Sequence, residues 1–186
     1  MIDLVRLLIE TSRLVIRPYG HGDVGAWIAM LSDPEVRRFL PTGPPPTAEM
    51  FESVLESRHA MENEIGYAMW AVEERMTGTF IGQCGLRPAK SMDENAGSEI
   101  DLGYHFASAS WNKGFATESA VAVLAHGLGA LGLDSIMAVA ACQNVGSWRV
   151  MEKAGMRYEG PAEYYGSKDL KKYVAERASW SVPLSH

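Results

Sequence analysis

SEIDLGYHF, residues 98–106, alternates along its length: Ile100, Leu102, Tyr104 and Phe106 are apolar or aromatic, while Glu99, Asp101, Gly103 and His105 stand between them. A period of two places successive side chains on opposite faces of a β-strand. The stretch that follows, ASASWNKG at 107–114, is mostly small and polar, and residues 115–131 then return Ala120, Val121, Leu124 and Leu128 at helical spacing. A strand, a glycine-bearing turn and a long helix in that order leave unpaired backbone N–H groups at the positive end of a helix dipole. Such an end suits phosphates. Gly114 admits a ligand close to the backbone, Asn112 tolerates positive φ, and Lys113 adds charge. A turn of this composition equally serves as a plain connection, so alone it marks a candidate anion cradle.

Upstream, Leu14, Val15 and Ile16 predict a short strand before Pro18. Asp23 is placed to cap a helix whose stripe is Trp27, Met30 and Leu31, with Asp33-Pro34 ending it or starting another turn. The Pro- and Gly-rich residues 41–46 read as a loop, and Thr47 as the cap of a long helix carrying Met50, Phe51, Val54, Leu55 and Arg58. Residues 67–72 and 79–86 read as a hairpin turning at Thr77-Gly78, followed by a loop at 90–97. Downstream, the pattern predicts a strand at 135–141, a helix at 146–154 stopped by Gly155, a strand at 156–159, a loop at 161–169 and a last strand at 173–182. Hairpins together with a strand–helix–strand crossover predict a mixed α+β sheet, read as one domain over residues 1–186.

The 186 residues are 47% hydrophobic and 22% charged, which is ordinary globular usage and excludes wholesale disorder. A net charge of −6 provides no global positive field for a nucleic-acid backbone or an anionic membrane, so an anionic ligand must be held locally. Cys84 and Cys142 fit no metal-ligand spacing and read as small buried hydrophobes, with a reducing cytoplasm as the default setting. His21, His59 and His126 stand apart from other ligand types, so no metal is expected. Neither a leader segment nor a membrane span is read, since Asp3 and Arg6 interrupt the first apolar run and His126 and several glycines the run at 120–133.

The order DLGY, WNKGFATE, NVGS and MEKAGM between Asp101 and Met156 resembles the GNAT acyl-CoA N-acyltransferases, most nearly the branch of the RimJ and RimL ribosomal-protein N-terminal acetyltransferases. The resemblance implies a mostly antiparallel central sheet flanked by helices, acetyl-CoA as co-substrate and an amine acceptor, either a protein N-terminus or a small molecule. It implies that the amides of Trp111, Asn112, Lys113, Gly114, Phe115, Ala116 and Thr117 hold the coenzyme A pyrophosphate. Backbone groups of Tyr104, His105 and Phe106 would pair with the pantetheine arm and polarise the thioester carbonyl. Asn112 stands where the branch usually has Gly, and Trp111 where the wider family often has Gln or Arg.

Asn144 lies between a strand and a helix, where it caps the helix, contacts the pantetheine arm by the family reading, or does both. Many members carry a Tyr seven residues further on that protonates the leaving thiolate; here that residue is Met151, which has no proton to give. Ser147 matches the serine that sits near the sulfur in the RimL branch, and otherwise reads as a first-turn helix residue. An ammonium acceptor must lose a proton before it attacks, and Glu99 and Asp101 are the candidate bases. Their other reading is the solvated face of an antiparallel sheet. Tyr164 and Tyr165 either flank the acceptor or simply pack. A small-molecule acetyltransferase and a non-catalytic acyl-CoA-binding module stay open beside the N-terminal acetyltransferase, and so does a homodimer.

Overall fold

The computed structural model describes residues 8–40, 43–90 and 98–183. The loops read at 41–46 and 90–97 fall partly outside these residues, and the first seven positions wholly so. Eight strands form one sheet: β1 (Ile9–Glu10), β2 (Leu14–Arg17), β3 (Met69–Glu74), β4 (Thr79–Pro88), β5 (Ile100–Phe106), β6 (Ser135–Ala141), β7 (Arg157–Tyr164) and β8 (Ser167–Glu176). Their order across the sheet is β1-β2-β3-β4-β5-β6-β8-β7, and every neighbouring pair is antiparallel except β5 and β6. That exception follows from the helical crossover between those two strands. The α+β class and the mostly antiparallel sheet are as the sequence implies.

Helices α1 (Val24–Ser32), α2 (Pro34–Arg37) and α3 (Ala48–Ile65) cover one face at the β2–β4 end. Thr47 caps α3 by accepting from the Met50 amide at 3.2 Å, and Gly66 closes it at φ 82°. Phe51 and Leu55 of α3 meet Tyr19, Trp27, Met30, Val36 and Ala71 in a compact cluster. The opposite face is covered by α4 (Phe115–Ala125) and α5 (Val145–Lys153), which bury Phe115, Val123, Leu124 and Met151 against Leu14, Ile16, Trp70, Val72, Leu86 and Leu102. A third cluster, Met137, Tyr164, Leu170 and Val174, lies at the β8–β7 end.

Five local expectations change, the first being the last strand, which is read at 173–182 and runs instead from Ser167 to Glu176. Asp23 precedes α1, but its carboxylate accepts from Arg17 and from the Gly20 amide and makes no cap on α1. The helix read to residue 131 ends as α-helix at Ala125 and continues as a π turn, His126–Ala130. There the Gly127 backbone packs so close to the sheet that a Cβ would stand 2.6 Å from Ile136 Cδ1 and 2.9 Å from Leu86 Cδ1. The loop read at 161–169 is the middle of the β7–β8 hairpin, closed by Tyr165 and Gly166 with φ of 54° and 78°. Both positive angles suit a tight hairpin turn, and Pro161 is tolerated because β7 is an edge strand. Cys84 is buried as read, whereas Cys142 is half-buried.

Strand β4 must pass hard against its neighbour: a Cβ on Gly85 would lie 2.2 Å from the Ala68 carbonyl oxygen and 2.6 Å from Met69 Cα. Gly85→Ala is therefore expected to lose about 1–3 kcal/mol of stability. Gly25→Ala, in the open first turn of α1, is expected to gain about 0.4–1 kcal/mol by restricting the unfolded chain. Urea midpoints of the two variants check the contrast; equal midpoints would contradict it.

Candidate active site

The turn before α4 leaves its backbone uncovered. Asn112 and Gly114 both take positive φ, 60° and 81°, and Trp111 through Gly114 are exposed. Gly114 gives α4 no side-chain cap, and the first bond of the helix runs from the Glu118 amide to the Gly114 carbonyl at 3.0 Å. The amides of Phe115, Ala116 and Thr117 thus have no hydrogen-bond partner among the described residues. The turn is braced from outside: Arg13 donates to the Lys113 carbonyl at 2.9 Å and to Glu118 at 2.7 Å, while Thr11 donates to Glu118 at 2.6 Å. A Cβ at Gly114 would approach the Arg13 guanidinium to 3.3 Å. Free amides, a dipole end and a backbone without side-chain cover fit a pyrophosphate.

Strand β5 leads from this turn back to a gap in the sheet. It pairs with β4 from Gly82↔Phe106 to Pro88↔Ile100, but with β6 at Asp101↔Met137 alone. From Leu102 to Phe106 its β6-facing side has no strand pairing among the described residues. On the α5 side of that open edge, the Tyr104 hydroxyl donates to the Ser147 carbonyl at 2.7 Å and lies 3.0 Å from Ser147 Oγ. Burial holds the Tyr104 phenol well above its ordinary pKa, so it stays protonated. Asn144 caps α5, its Oδ1 accepting from the Ser147 amide at 3.2 Å. Tyr104, Asn144 and Ser147 are brought together. The Tyr104 side chain is the member that sequence reasoning missed, since alternation says which face it occupies but not which helix crosses it.

The other face of β5 departs from the solvated reading. Asp101 is 2% exposed and accepts from Arg87 at 2.9 and 2.8 Å and from the Tyr165 hydroxyl at 2.6 Å. Glu99 is half-buried and accepts from Lys172 at 2.7 Å and from the Tyr164 hydroxyl. Burial works to raise the Glu99 pKa, but these hydrogen bonds and the Lys172 charge outweigh it and hold the carboxyl below its usual range. Neither carboxylate is free, and both hold the β7–β8 hairpin against β5. Tyr164 and Tyr165, expected in a loop, are the residues through which the hairpin does so.

Further along that face, Gln83 on β4 donates from Nε2 to His105 Nδ1 at 2.8 Å, and its Oε1 accepts from the Tyr19 hydroxyl at 2.8 Å and from Arg58 at 3.0 Å. Burial, with the Arg87 and Arg58 charges, pushes His105 down to about 4. His126, whose Nε2 is buried with no partner among the described residues, is also lowered by burial. An unfolded histidine titrates near ~6.5, so the contribution of both to stability is complete above that pH and shrinks as the pH falls below it. Urea unfolding at about pH 7.5 and about pH 5 should show a weaker fold at the lower value, and His105→Gln should narrow the difference. Equal stability at both pH values would contradict the assignment.

The comparisons with known proteins bear on the family and the fold of the chain. The family model described as acetyltransferase (GNAT) domain matches residues 13–157. YoaA of Bacillus subtilis (strain 168), an uncharacterized N-acetyltransferase, is 30% identical over 158 residues, which are 85% of this chain and 87% of YoaA. The crystal structure of a GNAT-family acetyltransferase from Bacillus anthracis superposes with a TM-score of 0.75 at 25% identity, over 93% of this chain and 100% of that one. RimL, a ribosomal L7/L12 α-N-protein acetyltransferase solved in complex with coenzyme A, superposes with a TM-score of 0.75 at 13% identity, over 91% and 98%. Among the described residues, no group of three or more His, Cys, Asp or Glu side chains is placed to hold a metal, and no helix is long and apolar enough to cross a membrane. The chain belongs to the GNAT acetyltransferase family and is an acetyl-CoA-dependent acyltransferase.

Proposed function

We propose that this chain acetylates the N-terminal α-amine of a protein or peptide by direct attack on acetyl-CoA, without a covalent enzyme intermediate. The observation that carries the chemistry is the Tyr104–Ser147 hydroxyl pair beside the unpaired edge of β5. The amides of residues 111–117 would hold the pyrophosphate, Asn144 the pantetheine arm, and backbone groups of Tyr104, His105 and Phe106 the arm's amides and the thioester carbonyl. Acetyl-CoA supplies the activated acyl group and a good leaving thiolate. As the C–N bond forms and the C–S bond breaks, the Ser147 hydroxyl hydrogen-bonds the departing thiolate, which takes its proton from water, while Tyr104, kept protonated and donating to the Ser147 carbonyl, holds Ser147 in place. The pair thus stands in for the tyrosine absent at Met151, which is buried at 1% exposure.

The acidic side bears on the acceptor. Lys172 and Tyr164 hold Glu99 below the carboxylate range, and Arg87 and Tyr165 tie up Asp101. A carboxylate held below its usual range, as Glu99 is, makes a weak base. An α-amine, with a pKa near ~8, needs far less help at neutral pH than an alkylamine near ~10.4. We assign the proton's exit to a water relayed toward Glu99, with Asp101 as the buried partner that positions the strand. The likeness to RimL, an α-N-protein acetyltransferase by its description, is consistent with this acceptor class.

The test is release of free thiol from acetyl-CoA with short peptides bearing free N-termini set against polyamines and aminoglycosides. Peptides are expected to be the faster acceptors, and faster turnover of the small amines would overturn the acceptor class. Ser147→Ala and Tyr104→Phe should each lower kcat about 10- to 100-fold, the low end of what a placed proton donor supplies, with acetyl-CoA affinity nearly unchanged. Earlier melting with unaltered turnover would reduce Ser147 to a helix residue.

A further inference from the structure

Gln83 does more than fill a position opposite His105. Its amide has one carbonyl and one NH2 end, and the neighbours decide which end faces which. Arg58, reaching from α3, has five N–H donors and no acceptor, so the end it meets at 3.0 Å must be Oε1. A flipped amide would set NH2 against guanidinium. It would also strip another bond from an arginine whose NH1 is already buried with no partner among the described residues. The guanidinium is further held over the Tyr19 ring at 4.4 Å, and Tyr19 donates to the same Oε1 at 2.8 Å. Nε2 of Gln83 is therefore the end that meets the imidazole, and as a donor it obliges His105 Nδ1 to accept at 2.8 Å. A neutral imidazole that accepts at Nδ1 carries its hydrogen on Nε2.

His105 is only partly buried, and its Nε2 has no hydrogen-bond partner among the described residues. It shares a face of β5 with Gly103 and Asp101, opposite the Tyr104–Ser147 pair, between the wall made by α3 and the Tyr165 tip of the β7–β8 hairpin. Gly103 leaves the floor low, and the side chain nearest to it is Met69, whose sulfur would stand 3.0 Å from a Cβ there. A ring with its hydrogen already on the outward nitrogen, flanked by Arg87 and Arg58, has no vacancy there for an ammonium proton. What it offers is a hydrogen bond to an oxygen.

We propose that Arg58 and Gln83 lock His105 as an Nε2–H donor, and that this donor binds the carbonyl oxygen of the acceptor's first residue. The assignment rests on the α-amine reading above and sharpens it. An N-terminal residue carries that carbonyl one carbon beyond the carbon bearing the amine, whereas a polyamine has no such oxygen. His105 is thus a selector for an amine with a neighbouring carbonyl, and Arg58 and Gln83 are its positioning residues.

Nitrogen NMR of the imidazole in the free protein at neutral pH tests the lock: a bare Nδ1 and a protonated Nε2 are expected. Protonation at Nδ1, alone or in an imidazolium, would overturn it. For recognition, kcat/KM is measured with an alanyl peptide amide and with isopropylamine, the same amine without the carbonyl. His105→Leu should lower the peptide-to-isopropylamine ratio about 5- to 10-fold, the worth of one hydrogen bond, mainly through the peptide KM. His105→Gln, which restores an N–H, should recover most of it, and circular dichroism of both variants keeps folding separate from recognition. Gln83→Leu should release the tautomer preference in the NMR spectrum. A ratio unchanged in His105→Leu would overturn the recognition while leaving the acceptor class intact. A wild-type enzyme inert toward every α-amine would instead overturn the acceptor reading, and the recognition with it, whatever the tautomer.

Discussion

The ion pair of buried Asp101 with half-buried Arg87 sits where the sheet comes apart. Asp101 is the residue at which β5 still pairs with β6, its cross-strand partner on β4 is Arg87, and Tyr165 of the β7–β8 hairpin closes on both. One carboxylate thus joins β4, β5 and the hairpin at the root of the gap. Such an ion pair adds little net stability compared with an apolar contact of similar size, but removing Arg87 would leave the Asp101 charge buried with its main counter-charge gone. Such a pair fixes a geometry. Beyond it β5 is free of β6, and the open backbone, the Tyr104–Ser147 hydroxyls and the His105 ring all take their places relative to that strand.

Strand β5 divides the chemistry between its faces. Tyr104 points toward α5 and the hydroxyl of Ser147, where, on the proposed function, a leaving sulfur would need a hydrogen; Asp101 and His105 point the other way, toward the elements that would meet an amine. Period-two alternation makes this division unavoidable, since neighbouring residues of a strand cannot share a face. On the proposed function, the residue that steadies the leaving-group donor Ser147 and the donor for the acceptor would thus be neighbours, Tyr104 and His105, that do not interfere. Both carboxylates anchor the β7–β8 hairpin, and on the proposed function this would leave much of the proton removal to the acceptor's own acidity.

The sequence made much of this legible and left some of it hidden for identifiable reasons. The β5 strand, the Trp111–Gly114 turn, the Thr47 cap and the Asn144 cap all follow from local rules of periodicity, φ tolerance and capping, and the structure has each. The β7–β8 hairpin does not, because Pro161 and the Tyr165-Gly166 pair resemble loop composition, and a proline is harmless only once β7 is known to be an edge. Losing that hairpin from the reading also loses Tyr164, Tyr165 and Lys172 as partners of Glu99 and Asp101, so the acids look solvated. Alternation assigns a face; it does not say what covers the face. The Tyr104–Ser147 contact and the Arg58–Gln83–His105 chain are hidden likewise, since they join residues 43, 25 and 22 positions apart.

The net charge of −6 bears on how an anionic co-substrate is held in such a chain. Arg13, the cation bonded to the phosphate turn, is half-exposed and already committed to Glu118, with 2.7 Å and 2.6 Å contacts. The hydrogen bonds and charge of that pair hold Glu118 below its usual range against the effect of burial, so it remains ionised at neutral pH. Side-chain charge at the turn is therefore nearly balanced, apart from Lys113, which is exposed to solvent and screened. On the proposed function, what would remain to attract a pyrophosphate is the set of amides from Phe115 to Thr117, without partners among the described residues, and the dipole behind them. Such a site grips by oriented, short-range hydrogen bonds, which salt screens weakly, and it selects by shape because only a ligand able to reach several amides at once is held. A turn built mainly from backbone also explains why its side chains carry so little of the signal: Asn112 and Gly114 are there for their dihedral angles, and the binding groups are the same in every residue.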